Sequence, residues 1–387
     1  MTSLIAWLDA STEEQRRMRE IISLFADRAS LDELGIGTIR DALSDLLFPG
    51  TSTLLTRARY LLLVPWCYQR AATSSDPVAK ADEYERKLIS VLRDSGDFAG
   101  LLGMRAGATL ANLPSTIYWG ILGRYGILAA PGTSRAQALA PAPNGLKPWH
   151  PTMPPAPEGF PSHVDGGFTL TRPEAEWLRD RILAEAPATL MSHLVTHEPD
   201  HDSDAFWRDP VALAVPGGAR HLIDHARSFT LAIRGASLVY NLLLAEAYKK
   251  AGYTDVNEPV EHYRTELTAW ATTASTELDL TTWDFDDLVM RVELARGAPI
   301  HAGTRLFVQQ WLDLLRSADL GALADNENAR AAVARRERQH KGSQARLTSP
   351  RKLATWGGSS GATELGYRWN AARRILLDIH QGLRRDA

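Results

Sequence analysis

Cys67 is the only cysteine in a chain of 387 residues. With no second thiol there is no intramolecular disulfide, no cysteine zinc site and no dithiol redox pair, and a reducing compartment fits. Long apolar runs are missing too. The longest, Tyr60 to Tyr68, is interrupted by Pro65 and falls far short of the roughly 18 residues a membrane span needs. The first residues carry Asp9, Glu13 and Glu14 where a secretion signal would be basic and then apolar, so a cytoplasmic chain with no membrane partner is expected. Nucleotide motifs are absent as well. Neither G-x-x-x-x-G-K-[ST] nor a complete G-x-G-x-x-G nor H-x-K-x-x-x-x-D occurs, which removes support for P-loop hydrolysis and phospholipase-type nuclease chemistry. No repeat of fixed period and no long alternation of strand period is found.

What is present is the composition of an ordinary globular protein, 44% apolar and 23% charged, at a length that suggests two or three domains. The charge is unevenly spread. From Arg330 onward thirteen lysines and arginines meet four acids, a net +9, leaving −12 on the first 329 residues of a chain whose total is −3. Such a division predicts a polyanion partner for the basic end, or an embrace between that end and the acidic remainder. Arginine outnumbers lysine eleven to two here, and arginine is the better bidentate donor to phosphate. Trp356, Tyr367 and Trp369 interleave the charges and supply flat faces for bases or for packing.

Nine of the 21 prolines fall between Pro131 and Pro161, which excludes a helix there and reads as an interdomain linker or an extended strap. The expected organisation is a helical N-terminal unit over 1–130, a proline-rich linker over 131–165, a helical unit over 166–329 and a basic C-terminal segment over 330–387. Helix signals dominate. Ser11 with Glu14 forms a capping box ahead of Met18, Ile21 and Phe25, and Thr171 followed by Pro173 and Glu174 opens another helix. Ala219 to Lys250 runs without proline and stops at Lys249, Lys250 and Gly252, as a helix C-terminus should. Further helices are expected at 260–275, 286–295 and 306–315. At the end, Leu365, Trp369, Ala372, Leu376, Ile379 and Leu383 form one apolar stripe with the arginines off it. The fold class is therefore mainly α. The short helix opened by Pro114, with Gly123 and Gly126 after it, is compatible with a winged helix-turn-helix and equally with a plain bundle.

Several constellations could carry chemistry. His221-Leu222-Ile223-Asp224-His225 matches H-x-x-D-H, one methylene short of an inverted zincin motif, and places His221 and His225 one helical turn apart, where both imidazoles can reach one metal. His193, His197 and His201, with Glu198 and Asp200, supply enough ligands for a cation, but Pro199 breaks the helix that would align them, and a polar loop is expected. Glu83, Glu85 and Lys87 with Asp76 imitate a restriction-nuclease core in a stretch that reads as helix, where that core needs strands. Gly357-Gly358-Ser359-Ser360-Gly361 fits the G-x-S-x-G nucleophile elbow, yet too little chain follows for its acid and histidine. A Gly/Ser-rich loop can instead converge backbone N–H groups on an oxyanion. The expected phosphate-binding set is Arg335, Arg336, Arg338, Lys341, Arg346, Arg351 and Lys352 with Gly358, Ser359, Ser360, Gly361 and Arg368. Arg57 and Arg59, after the turn Phe48 to Thr53, either hold a phosphate or pair with Asp41 or Asp45.

The runs LDELGIGTIRDALSDLLFPGTSTLLTRARYLLLVPW (Leu31 to Trp66) and LPSTIYWGILGRYGIL (Leu113 to Leu128), with the later KGSQARL and WGGSSGATELGYRW, together resemble the bacterial domain-of-unknown-function family 6361 over nearly the whole chain. The resemblance implies no catalytic residue and no cofactor. It implies a genomic setting among the helicases and nucleases of antiphage defence, and hence such proteins as partners. The sequence as a whole leads to the expectation of a non-enzymatic nucleic-acid-binding subunit, with DNA foremost, of a multi-protein bacterial defence system. The alternatives are a metal-dependent hydrolase or nuclease centred on His221, Asp224 and His225, and a structural scaffold whose acidic part neutralises its basic end.

Overall fold

In a computed structural model, residues 32–94, 96, 98–104, 110, 112–140 and 147–385 are described. The helix expected behind Ser11 and Glu14 lies outside them. Among the described residues the fold is mainly α, with no sheet and one isolated antiparallel bridge, Leu128 to Trp149. That bridge follows the helix Pro114–Arg124, where the winged arrangement would have placed a hairpin.

The chain divides into two compact bodies, each assembled from separated stretches. The first unites the stretch ending at Arg40 with Ser228–Leu365, and the second unites Asp41–Arg227 with the stretch beginning at Gly366. Two of the three divisions fall inside helices, Gly37–Leu47 and Gly218–Lys250, where no proline or glycine cluster marks them, and the third falls between Leu365 and Gly366 ahead of the terminal helix.

In the first body, residues 228–250 of the long helix form the axis of the core. This helix is long and apolar enough to cross a membrane, but 78% of its apolar window is buried in the fold, as in a core helix. Trp270 and Trp311, from the helices Pro259–Glu277 and Ala302–Ser317, lie against it and donate their indole N–H groups to the Leu231 and Ala232 carbonyls, each at 2.8 Å. Gly235 permits this, because a Cβ there would stand 2.5 Å from the Trp270 ring. The helix Glu327–Lys341 is tied to residues 33–35. Arg336 is buried and donates to the carbonyls of Leu34 (2.7 Å) and Gly35 (3.2 Å) and to Thr304 Oγ1 (2.8 Å). The half-exposed Arg346 and the Lys341 ammonium both reach the buried Glu33 carboxylate. One turn away Glu337, also buried, accepts from the Tyr240 hydroxyl (2.8 Å) and the Arg346 N–H (2.6 Å).

In the second body the helix Tyr60–Ala71 is buried at every residue from Tyr60 to Tyr68 despite Pro65, which explains the apolar sequence of that stretch. Trp66 donates to the Pro154 carbonyl at 2.8 Å and meets Phe160 edge-on, while Trp149 packs on Tyr68 and Trp119. The described part of the proline-rich stretch is thus a strap sewn onto this helix by aromatic residues. Arg59, 2% exposed, donates to the carbonyls of Asp165 and Gly167 and to Glu174 Oε1 at 3.0 Å. Glu174 also closes the capping box on Thr171 at the start of the helix Arg172–Glu185. Arg57 pairs with Asp378, at 3.0 and 3.2 Å from its Nε, so both arginines pair with acids far along the chain. The terminal helix Trp369–Leu383 packs its apolar stripe on Arg172–Glu185. Gly382 marks the close approach, since a Cβ there would stand 2.7 Å from Ala175 Cβ.

Candidate functional site

Of the twelve residues expected to hold phosphate, eleven fall into three groups in the first body and Arg368 stands apart in the second. Arg336, Lys341 and Arg346 serve the first body's interior through the bonds to Leu34, Gly35, Thr304 and Glu33. Burial holds the Arg336 guanidinium below its ordinary value, and the distant Asp32 only partly offsets this. Arg335, Arg338, Arg351 and Lys352 are exposed, and among the described residues no acid approaches them within ion-pair distance. Arg335 and Arg338 sit three apart on the solvent side of Glu327–Lys341, with Arg336 turned inward between them by the 100° step of the helix. Arg351 and Lys352 lie on the short helix Pro350–Ala354. This helix packs on the turn Arg346–Thr348, which in turn packs on Glu327–Lys341.

The third group is the loop. Gly358 and Gly361 have φ of +93° and +61°, the left-handed region that favours glycine. The loop is held within the first body on both sides. Ser360 is buried; its N–H donates to Asn241 Oδ1 and its carbonyl accepts from Asn241 Nδ2, both at 2.8 Å, while the Tyr263 hydroxyl donates to the Gly358 carbonyl at 2.6 Å. The Ser360 amide is thus directed at Asn241, and Gly357, Ser359 and Gly361 face solvent. Asn241 and Tyr263 escaped the sequence reading, since a lone asparagine inside an apolar helix gives no sign of which loop it clasps. Arg368 belongs to the second body, where it takes a φ of +66° and donates to Asp45 and to the Thr51 carbonyl at 2.7 Å. The expected set is therefore shared between the two bodies.

Trp356, Tyr367 and Trp369 are all core residues. Trp356 packs on Tyr248 and Tyr263, whereas Tyr367 and Trp369 meet Phe206. Of the two roles open to these rings in the sequence, packing is the one they fill.

His221 and Asp224 are exposed on the long helix and His225 is buried, and Asp224 pairs with Arg220 at 3.0 Å. His193 and His197 stack at 4.4 Å, with His193 Nε2 against the Val211 carbonyl and His201 against Glu198. Among the described residues no group of three or more His, Cys, Asp or Glu side chains gathers as a metal site would require.

A family model matches residues 2–382, nearly the entire length. The chain belongs to DUF6361, a family of unknown function. No curated protein and no solved structure matches it. For this DUF6361 chain, argument about function therefore rests on its own residues, above all on which of its many arginines are already occupied.

Proposed function

We propose that this DUF6361 protein is a non-enzymatic nucleic-acid-binding subunit of a multi-protein bacterial system, contacting the phosphate backbone through Arg335, Arg338, Arg351 and Lys352. The observation that carries this reading is the sorting of the basic stretch. Arg330, Arg336, Lys341 and Arg346 are bound to Glu246, backbone carbonyls and Glu33, while the other four stand in solvent without an acid among the described residues. Unpaired exposed cations spread over adjacent elements repel one another, and a polyanion relieves that cost through counterion release. Contacts of this kind position a protein on a strand without reading its sequence, so DNA of any sequence is an adequate probe. The assignment to antiphage defence, with a helicase or nuclease as partner, belongs to the same proposal and is supported by the family resemblance alone.

Electrophoretic shift of the full chain with duplex DNA, single-stranded DNA and RNA tests the reading. With four phosphates neutralised on a duplex, log K should fall against log salt with a slope of about −3 to −4. The fourfold variant Arg335→Glu, Arg338→Glu, Arg351→Glu, Lys352→Glu should lose binding and keep its melting temperature. No binding of any probe at low salt, or unchanged affinity in the variant, overturns the proposal.

A further inference from the structure

The second body holds a cleft of about 480 Å³ whose walls are rich in guanidinium groups. One wall is a face of the terminal helix and the residue after it, where Arg374, Asp378, Gln381 and Arg384 follow at spacings of four, three and three. Arg57 and His201 face them from residues 41–227. From these positions we infer that the cleft is a binding site for a phosphate monoester, a ligand that the four cations of the first body do not require.

Arg57 is fixed before any ligand arrives. Its Nε lies 3.0 and 3.2 Å from the two Asp378 oxygens, its Nη1 donates to the Ala99 carbonyl at 2.9 Å, and its Cζ sits 5.0 Å from the Phe168 ring centre. Asp378 is in turn filled, taking the Ala58 N–H at 2.8 Å as well. Its work is to hold Arg57 in place, so Arg57 presents a fixed guanidinium to the cleft as half of an ion pair. At the rim, Arg384 and His201 (3.0 Å) share Glu198, and Arg374 is exposed with no acid within ion-pair distance among the described residues. Among the described residues three guanidiniums thus line one concave space, against Asp378 in its wall and Glu198 at its rim. Gathering like charges in a cleft costs free energy that a dianion returns, and the planar fork of arginine matches phosphoryl oxygens in pairs. The volume falls in the range of small-molecule sites. The Gln381 amide is left for a neutral part of the ligand.

Calorimetric titration of the full chain with inorganic phosphate, adenosine monophosphate and adenosine tests this. Phosphate and the monoester should both saturate, and adenosine should not. Tighter binding of the monoester shows that the rest of the cleft is used, and equal binding shows that the phosphoryl group supplies the affinity. The double variant Arg374→Ala, Arg384→Ala should weaken binding by roughly tenfold or more, the measure of one or two lost charged hydrogen bonds. Arg374→Ala alone changes an exposed side chain that forms no ion pair among the described residues and keeps the test valid if the double variant fails to fold. Failure of both phosphate compounds to saturate at millimolar concentration overturns the inference. So does equal binding of adenosine, or an affinity unchanged within twofold in the folded variant. The cleft shares no residue with Arg335, Arg338, Arg351 or Lys352, so this result and the salt dependence of nucleic-acid binding fail or succeed separately.

Discussion

The basic stretch beginning at Arg330 behaves differently in its two halves. Up to Lys352, in the first body, the cations left without an acid among the described residues stand in open solvent; from Gly366 on, in the second body, Arg374 lines a cleft beside a buried carboxylate. Within each half, occupied and unoccupied arginines alternate closely. Arg330, Arg336, Lys341 and Arg346 are bound internally in the first, and Arg368, Arg373 and Arg384 in the second, to Asp45, the Ser203 carbonyl and Glu198. Seven of the thirteen cations behind the +9 are therefore engaged inside their own body. Net charge of a segment measures the field at a distance, whereas its capacity to bind is set by what remains after the interior has taken its share.

The sharpest way to break the contrast is at neighbouring positions. Arg336→Ala strips donors from two carbonyls and a hydroxyl in the interior and should cost about 3 kcal/mol or more in chemical denaturation. Arg335→Ala, one residue away in solvent, should change stability by less than about 0.5 kcal/mol. Similar losses from the two would erase the distinction.

A buried carboxyl lacking a close cation gives the next largest effect. Glu85, wholly buried in the second body, accepts the Ser115 N–H at 2.7 Å on one oxygen and has no hydrogen-bond partner for the other. Burial pushes it up to about 7, against the lowering effect of the Ser115 hydrogen bonds; Asp82 raises it further and Arg135 lowers it. Burial and then the Glu85 charge push the neighbouring Cys67 thiol and Tyr68 hydroxyl up. The folded carboxyl therefore favours its neutral form, so its contribution to stability is whole below about pH 4.5 and is lost as pH rises through about 7. The loss should be on the order of 3 kcal/mol, and Glu85→Gln should flatten that part of the stability profile. An unchanged profile in the variant would assign the slope to other groups.

Smaller again is the clasp on the loop. Asn241→Ala leaves the Ser360 N–H and carbonyl unpaired and should cost about 2 kcal/mol, against about 1 kcal/mol for Tyr263→Phe, both by thermal denaturation. A loop that merely connects two helices would register neither.

Elements carried by local signals were legible in the sequence. The Thr171 capping box, the stop at Lys249 and Lys250, and the stripe of the terminal helix all lie within a few residues of where periodicity and caps put them. The partners of individual charges were not legible. Arg57 pairs with Asp378, far along the chain, because the choice is made by the packing of distant helices rather than by separation along the chain. For the same reason Arg336 reads as surface charge beside Arg335 in the sequence, though one helical step separates solvent from interior. The cleft was invisible for a further reason: Arg374 and Arg384 sit in an amphipathic pattern that gives their face but not what lies across from it.

The discontinuous second body also has a consequence for biosynthesis. Residues 41–227 leave the ribosome well before the helix Trp369–Leu383 that completes their core. Until then the Arg57 guanidinium and the Ala58 amide lack Asp378, and the apolar face of Arg172–Glu185 lacks its cover. The intervening 138 residues, Ser228–Leu365, belong to the other body and emerge first. The nascent second body thus spends the whole synthesis of the first with exposed apolar surface, an interval in which a chaperone or early assembly has something to hold.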